Sequence, residues 1–268
     1  MTSRTIGFIG LGAMGEPMVE RLLEANFSVV TCVNRNREPV DRLSPKGLVE
    51  LPDPYEVGLQ ADVLMCCVFD EKQNDQVLRG DRGALSAMAA GTTVLLMSTI
   101  SPDYCQDLAE EASKQGIRVL DCPLSGRVQG AVDGTLTLMI GGDQSDIAEC
   151  DDVLTPLGTP MRCGEIGSGQ VMKLANNAIV LTTFSMLLEV RDMVASYGMD
   201  LDNFMSILNQ STGRSHVSES FPMPKGRLKM AGMPAKDVST CLRLAEKLGV
   251  SLPIVQECYN AGLAEGAK

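Results

Sequence analysis

The sequence predicts an α/β fold: a doubly wound, mainly parallel sheet in the first part of the chain, then a long helix, then a helical second part. Three observations carry this reading. Short apolar runs alternate with amphipathic stretches over the first half, the pattern of parallel strands covered by helices. The texture changes after Gly164-Glu-Ile-Gly-Ser-Gly169, where an apolar stretch without Pro or Gly runs from Gln170 to about Tyr197. Beyond it only helical periodicities occur. A chain of 268 residues, 44% of them hydrophobic, has material for two cores.

Strands are expected at Ile6–Ile9, Ser28–Val33, Val63–Val68, Thr93–Met97, Arg118–Asp121 and Leu136–Ile140, with a short one near Met161. Helices are expected at Met14–Ala25, Pro102–Lys114 and Ser145–Leu154, and Gly91, Gly116 and Gly158 fall where helices should stop. At about 1.5 Å per residue the Gln170–Tyr197 stretch makes a helix of roughly 40 Å, long enough to leave one domain and found a second. Leu201–Ser206 onward, Val238–Leu248 and Pro253–Ala264 complete the helical part. The boundary is placed near residue 164, giving a sheet domain over 1–164 and an all-helical domain over 165–268.

Composition narrows the function. Aromatics are 4% and Trp is absent, against a platform for stacking bases or sugars. A net charge of −11 repels nucleic acid and anionic lipid heads, leaving room only for a local basic pocket. No apolar run is expected to reach the roughly 20 residues that span a bilayer. No targeting segment is expected before Ile6. The nine cysteines contain no Cys-x-x-Cys pair, and Cys66 and Cys67 sit in an apolar run as core residues. Reduced structural thiols point to a reducing compartment, and the cytosol is the expected location. With His216 the only histidine, acid–base chemistry falls to Lys, Tyr, Asp, Glu or Cys.

The strongest local motif is Gly10-Leu11-Gly12-Ala13-Met14-Gly15, directly after a strand and directly before a helix. Gly10 allows the tight turn, Gly12 lets the backbone approach a pyrophosphate, and Gly15 lets helix and strand pack closely. The helix N-terminus offers N–H groups and a positive dipole end to phosphates. The alternative is a tight turn and nothing more. About 20 residues past the glycines, an NAD site carries Asp or Glu for the ribose 2′-OH. Here Val33-Asn34-Arg35-Asn36-Arg37 stands instead, with two guanidiniums to grip a 2′-phosphate. NADP is therefore the expected cofactor, with NAD as the alternative; solvated loop arginines are the bland reading. Two further strand ends face the same way: Val68-Phe69-Asp70, and Ser98-Thr99 before Ser101-Pro102. Each is either a cofactor contact or an N-capping turn.

The catalytic candidates lie further on. Ser125-Gly126-Arg127 follows the fifth expected strand, and a Ser-Gly turn exposes N–H groups and a hydroxyl to a carboxylate. Lys173 and Asn177 are four apart on the long helix, hence on one face. Lys173 lies among Val171, Met172, Leu174 and Ala175. Partial desolvation lowers an ammonium below its ordinary range and lets it carry a proton near neutral pH. Asn177 either holds the same substrate oxygen or orients the ammonium. The competing picture is a surface lysine whose stem covers apolar neighbours.

Taken in order, Gly7-Phe-Ile-Gly-Leu-Gly-Ala-Met-Gly15, Asp121-Cys-Pro-Leu-Ser-Gly126, Gly164-x-x-Gly-x-Gly-x-x-x-Lys173-x-x-x-Asn177 and Lys236-Asp237 resemble the β-hydroxyacid dehydrogenases. That family includes 3-hydroxyisobutyrate dehydrogenase and the glyoxylate/succinic semialdehyde reductases. The resemblance covers nearly the whole chain. It implies a Rossmann domain joined by a long helix to an all-α domain that forms homodimers or homotetramers. It implies Lys173 as general acid/base assisted by Asn177, and Ser125 and Gly126 on the substrate carboxylate. It further implies that Thr99 and Lys236 touch the cofactor, with Asp237 nearby at the substrate.

Three departures bear on this. Arg127 stands where many relatives have a second Gly, making the cradle bulkier and more cationic; it either meets a second anionic group or points to solvent. The stretch from His216 to Ala235 is shorter than in typical relatives and lacks their aromatic segment before Lys-Asp. The chain also ends soon after Glu265. The expectation is an NADP-dependent oxidoreductase moving a hydride between the nicotinamide and a small β-hydroxy acid or semialdehyde. The alternatives are an imine reductase on the same architecture, or a catalytically silent NADP-binding interaction protein. An imine reductase generally carries Asp or Tyr in place of Lys173.

Overall fold

The computed structural model describes residues 4–33, 35–220 and 235–266. The chain divides into two compact units, Met1–Lys173 and Leu174–Lys268, so the division falls inside a helix.

The first unit is built on one sheet. Its elements in order are β1 (Thr5–Ile9), α1 (Gly15–Glu24), β2 (Ser28–Cys32), α2 (Glu38–Leu43), β3 (Val49–Leu51), α3 (Pro54–Gln60), β4 (Val63–Cys66) and α4 (Glu71–Leu78). They continue with β5 (Thr93–Leu96), α5 (Pro102–Ser113), β6 (Arg118–Asp121), β7 (Leu124–Ser125), α6 (Arg127–Asp133), β8 (Leu136–Gly141), α7 (Gln144–Glu149), α8 (Asp151–Leu154) and β9 (Gly158–Gly164). The strand order is β3-β2-β1-β4-β5-β6-β8-β7, with β9 on β8. Strands β1 to β6 pair in parallel, β8 runs antiparallel to β6 and β7, and β9 is parallel to β8.

Alternation along the strands explains the two layers. Ile6, Phe8, Val63, Met65, Leu95 and Leu120 turn to one face and meet Met18, Val19 and Leu22 of α1. Ile9, Leu64, Cys66, Val94, Leu96 and Val119 turn to the other and meet Val57, Leu78, Cys105 and Leu108. Strands buried on both faces need continuous apolar runs, which is what the sequence showed. Fully burying each such side chain contributes about 1.5–3 kcal/mol.

Several expected details differ. The sequence reading did not include β3 or β7, which are three and two residues long. The Ser145–Leu154 helix is two helices broken at Cys150. Gly116, at φ +70°, does end α5, but Gly91 ends no α-helix and Gly158 opens β9. All nine cysteines are free thiols.

The helix α9 (Ser168–Tyr197) has 30 residues. By length and composition it is apolar enough to cross a membrane, with a mean hydropathy of 1.4 over its most apolar window, which corrects the expectation that no segment would reach that measure. Within the second unit its apolar face is used for packing. Leu174 and Ala178 meet Cys241, Leu181 meets Val238, and Phe184 and Leu187 meet Val217. Those partners come from α11 (His216–Glu219) and α12 (Ala235–Lys247). Helices α10 (Leu201–Leu208) and α13 (Pro253–Gly266) complete the unit, so its described elements are all helical.

Candidate active site

Parallel pairing puts the carboxyl ends of β1, β2, β4, β5 and β6 on one edge of the sheet, and the residues that follow them form a continuous rim. The glycine turn opens it. At Gly10, φ is +112°, and a Cβ would lie 2.3 Å from the Cys67 carbonyl oxygen. At Gly15 a Cβ would lie 2.0 Å from the Gly10 carbonyl oxygen and 2.9 Å from the Phe8 ring. Gly12 is different: a Cβ there meets nothing within 4 Å. Two glycines thus serve the turn itself, and the third leaves open space beside the start of α1. Among the described residues no side chain caps that helix start, at Met14. Leu11 and Met14 pack against the core, while Ala13 is exposed. Uncapped N–H groups at a helix N-terminus beside open space fit a dinucleotide pyrophosphate.

At the next strand end the two arginines separate. Arg37 is gripped by both oxygens of Glu50 at 2.6 and 2.7 Å, and its Nε donates to Asp41 at 3.1 Å. Its guanidinium is thus engaged by carboxylates where the sequence suggested a phosphate ligand. Arg35 is exposed and makes no hydrogen bond or ion pair with the described residues. Asn34 lies outside the described residues, and Asn36 accepts from the Glu38 N–H at 3.1 Å. The Cys32 thiol beneath is pushed up to about 11, by burial first and then by Asp53 and Glu50.

At β4 and β5 the rim is knitted together. The Val68 N–H donates to Ser98 Oγ at 3.2 Å, and the Phe69 N–H donates to Gln73 Oε1 at 3.1 Å. Phe69 exposes its ring, and Thr99 is half-buried between buried Ser98 and Ile100. Asp70 and Ser101 are N-caps, accepting from the Gln73 and Tyr104 N–H groups.

At the end of β7 the Ser125 turn shows why Gly126 is needed and what Arg127 costs. Gly126 has φ +137° and Arg127 has φ +58°. A left-handed arginine sits about 1–2 kcal/mol above its relaxed backbone. Its guanidinium is exposed and has no partner among the described residues. Every other described arginine holds a carboxylate, a carbonyl or a hydroxyl; only Arg35 and Arg127 do not.

Asp121, at the end of β6, is fully buried. Its carboxylate accepts from the N–H groups of Gly167 at 2.6 Å and Gln170 at 2.8 Å, both at the start of α9. Burial pushes this carboxyl up from its ordinary value, and the backbone N–H groups pull the other way. Buried Gln170 reaches β5, donating to the Ser98 carbonyl at 2.9 Å and accepting from the Ile100 N–H at 3.0 Å. Sequence reasoning did not single out Asp121 or Gln170. The only local signal was their place at the edge of two motifs. Lys173 follows Gln170 by three residues and is half-buried.

Within the second unit, Asn177, Lys236 and Asp237 form one cluster. Asp237 is 4% exposed; it accepts from Asn177 Nδ2 at 3.1 Å and from Lys236 Nζ at 2.6 Å. Asn177 Oδ1 in turn accepts from Asn176 Nδ2 at 3.3 Å. The Asp237 carboxylate is thus held by its neighbours, and it orients both the Asn177 amide and the Lys236 ammonium.

Comparison with known proteins fits this arrangement. Residues 5–167 match the NAD binding domain of 6-phosphogluconate dehydrogenase. Residues 167–267 match the NAD-binding domain of NADP-dependent 3-hydroxyisobutyrate dehydrogenase. The chain belongs to the 3-hydroxyisobutyrate dehydrogenase-like family. Among its relatives is a 2-(hydroxymethyl)glutarate dehydrogenase of Eubacterium barkeri, 31% identical over 97% of this chain and 90% of that protein. A probable mitochondrial 3-hydroxyisobutyrate dehydrogenase of Dictyostelium discoideum is 32% identical over 83% of this chain and 70% of its own. The 3-hydroxyisobutyrate dehydrogenase of Mycobacterium tuberculosis with L-serine shares the fold at a TM-score of 0.88 and 23% identity, covering 100% of this chain and 95% of that one. As a member of this family, the chain is an NAD(P)-dependent oxidoreductase of the kind that acts on small hydroxy acids and semialdehydes.

Proposed function

We propose that the chain is an NADP-dependent reductase of small carboxylate-bearing aldehydes, running reversibly as a β-hydroxy-acid dehydrogenase, with Lys173 as its proton carrier. The observation that carries the reading is the pairing, on one rim of the first unit, of an uncapped glycine turn with a lysine at the anchored start of α9. Gly10, Leu11, Gly12, Ala13, Met14 and Gly15 would hold the pyrophosphate, Arg35 with Asn34 and Asn36 the ribose 2′-phosphate, and Val68, Phe69 and Thr99 the remainder. The bound nicotinamide supplies or accepts the hydride at the substrate carbon.

The chain's own residues do the rest. Ser125 and Gly126 present a hydroxyl and an N–H to the substrate carboxylate and hold the carbonyl beside the rim. As the carbonyl oxygen becomes an alkoxide, the Lys173 ammonium donates a proton to it; in oxidation the neutral amine takes that proton back. Asn177, held by Asp237, steadies the same oxygen. Arg127, without a partner among the described residues and on the substrate turn, suits a second anionic group such as a second carboxylate.

We also propose that the chain assembles with a second copy. Ile179, Met186 and Met193 are exposed by 60–65%, seven residues apart on α9, and Val190 and Tyr197 add to the stripe. The nine free thiols suit a reducing compartment, and the cytosol is the proposed location.

The test is NADPH oxidation with a panel of small carboxylate-bearing aldehydes, wild type beside Lys173→Ala. Turnover that falls by about 10²–10⁴-fold in the variant, with NADPH binding retained, is expected of a lost general acid. Wild-type turnover of imines and of no aldehyde would replace this reading with imine reduction.

A further inference from the structure

We propose that Asp121 is a positioning residue for Lys173: from the end of β6 it fixes, through the first turn of α9, the register between the Ser125-Gly126 turn and the proton carrier. The proposal rests on the function proposed above, which gives Lys173 its role.

The two motifs involved are far apart in sequence and are joined by one carboxylate. The N–H groups of a helix's first turn have no partner within the helix, and a side chain just before the helix usually caps them. In α9 the cap comes from another element. Asp121 is 46 and 49 residues away from Gly167 and Gln170, whose N–H groups it accepts. No cation pairs with Asp121 among the described residues. Burying an unpaired carboxylate is costly, and the backbone N–H groups and the positive end of a 30-residue helix offset that cost.

The surroundings are shaped to the carboxylate. A Cβ on Gly141 would lie 2.2 Å from Asp121 Oδ1. A Cβ on Gly169 would lie 2.7 Å from Oδ2 and 2.3 Å from the Met139 carbonyl oxygen. Gly167 takes φ +92° as it turns its N–H to Oδ1. The Gly167-Ser-Gly169 run is thereby explained as the footprint of Asp121. Gln170 adds a second tie, because its amide has one donor end for the Ser98 carbonyl and one acceptor end for the Ile100 N–H.

The consequence for chemistry follows from spacing. Ser125 lies four residues beyond Asp121 along the chain, and Lys173 lies three residues beyond Gln170, about 4.5 Å further along the helix axis. The carboxylate therefore references the substrate turn and the lysine to one point. A misplacement of about 1 Å at a reacting group lowers the rate by about a hundredfold.

The experiment uses the full chain as Asp121→Asn and Gln170→Ala, each shown folded by circular dichroism and a cooperative melt. Three quantities are read: NADPH affinity by its fluorescence, kcat and KM with the aldehyde panel, and the rate at which acetic anhydride acylates Lys173 relative to exposed Lys114, by peptide mass spectrometry. Asp121→Asn is expected to keep NADPH affinity within about twofold while kcat falls by about ten- to a hundredfold and KM changes less. The Lys173-to-Lys114 acylation ratio should shift by at least about threefold, and Gln170→Ala should move kcat and that ratio the same way, by less. Folded variants with unchanged kcat and an unchanged acylation ratio would overturn the proposal, as would a loss of NADPH affinity matching the loss of kcat. If Asp121→Asn does not fold, Gln170→Ala decides by the same readings. If the wild type turns over no substrate, the function falls, and the acylation ratio alone decides whether Asp121 positions Lys173.

Discussion

At the scale of single residues, Arg127 carries a strained backbone at φ +58° in a place where glycine would be relaxed. Arg127→Gly should raise stability by about 1 kcal/mol, seen as a higher denaturant midpoint. If the guanidinium meets a second carboxylate, the same variant should lose kcat/KM for dicarboxylate aldehydes and keep it for monocarboxylates. Equal change with both classes would remove Arg127 from the specificity account. Arg35→Asp should turn preference from NADPH toward NADH, whereas Arg37→Ala should change it little, since Arg37 is held by Glu50. Ratios of kcat/KM for the two cofactors check both. The linkage at Glu16 has a definite sign. Its hydrogen bond to Arg42 holds the carboxyl below its ordinary 4.5, so the stabilisation is present above that value and is lost as pH falls through the lower folded-state value. Glu16→Gln should therefore be less stable than wild type at pH 7, and the two should converge in strong acid.

Among elements, the longer ones could be read from their periodicity and the short ones could not. Strands β1, β2, β4, β5, β6 and β8 are apolar runs buried on both faces, and α9 announces itself by length. Strand β3 has three residues, too few for an alternation to show. Missing it had a price at the site: Glu50 lies on β3, so the grip on Arg37 was invisible and both arginines looked available. The glycine turn was legible because its neighbours in sequence define it, whereas Lys173 was singled out by the family resemblance and not by its spacing. Asp121 was not legible, because its partners lie on another element about fifty residues away. On α9, Leu181 is fully buried against Val238. Leu181→Ala should cost about 2–5 kcal/mol. Amide exchange should locate the loosening in residues 174–220 and 235–266, with the sheet protected as before.

For the whole molecule, the exposed stripe on α9 makes the strongest prediction. Ile179→Lys combined with Met186→Lys should shift the protein to a smaller species in sedimentation, and a wild type that already sediments as a monomer would defeat the proposed assembly. One feature of the chain also bears on how such proteins can be recombined. The two family matches meet at residue 167, one residue before α9 begins, while the compact units part after Lys173, within it. Relatives that exchange halves at a convenient loop would therefore carry the whole helix with the second half, and with it the lysine. A chimera spliced at 167 takes the proposed proton carrier from one parent and the carboxylate proposed to seat it from the other. Such hybrids should inherit cofactor preference from the first parent, and they should work only where that parent places an acid at the position of Asp121.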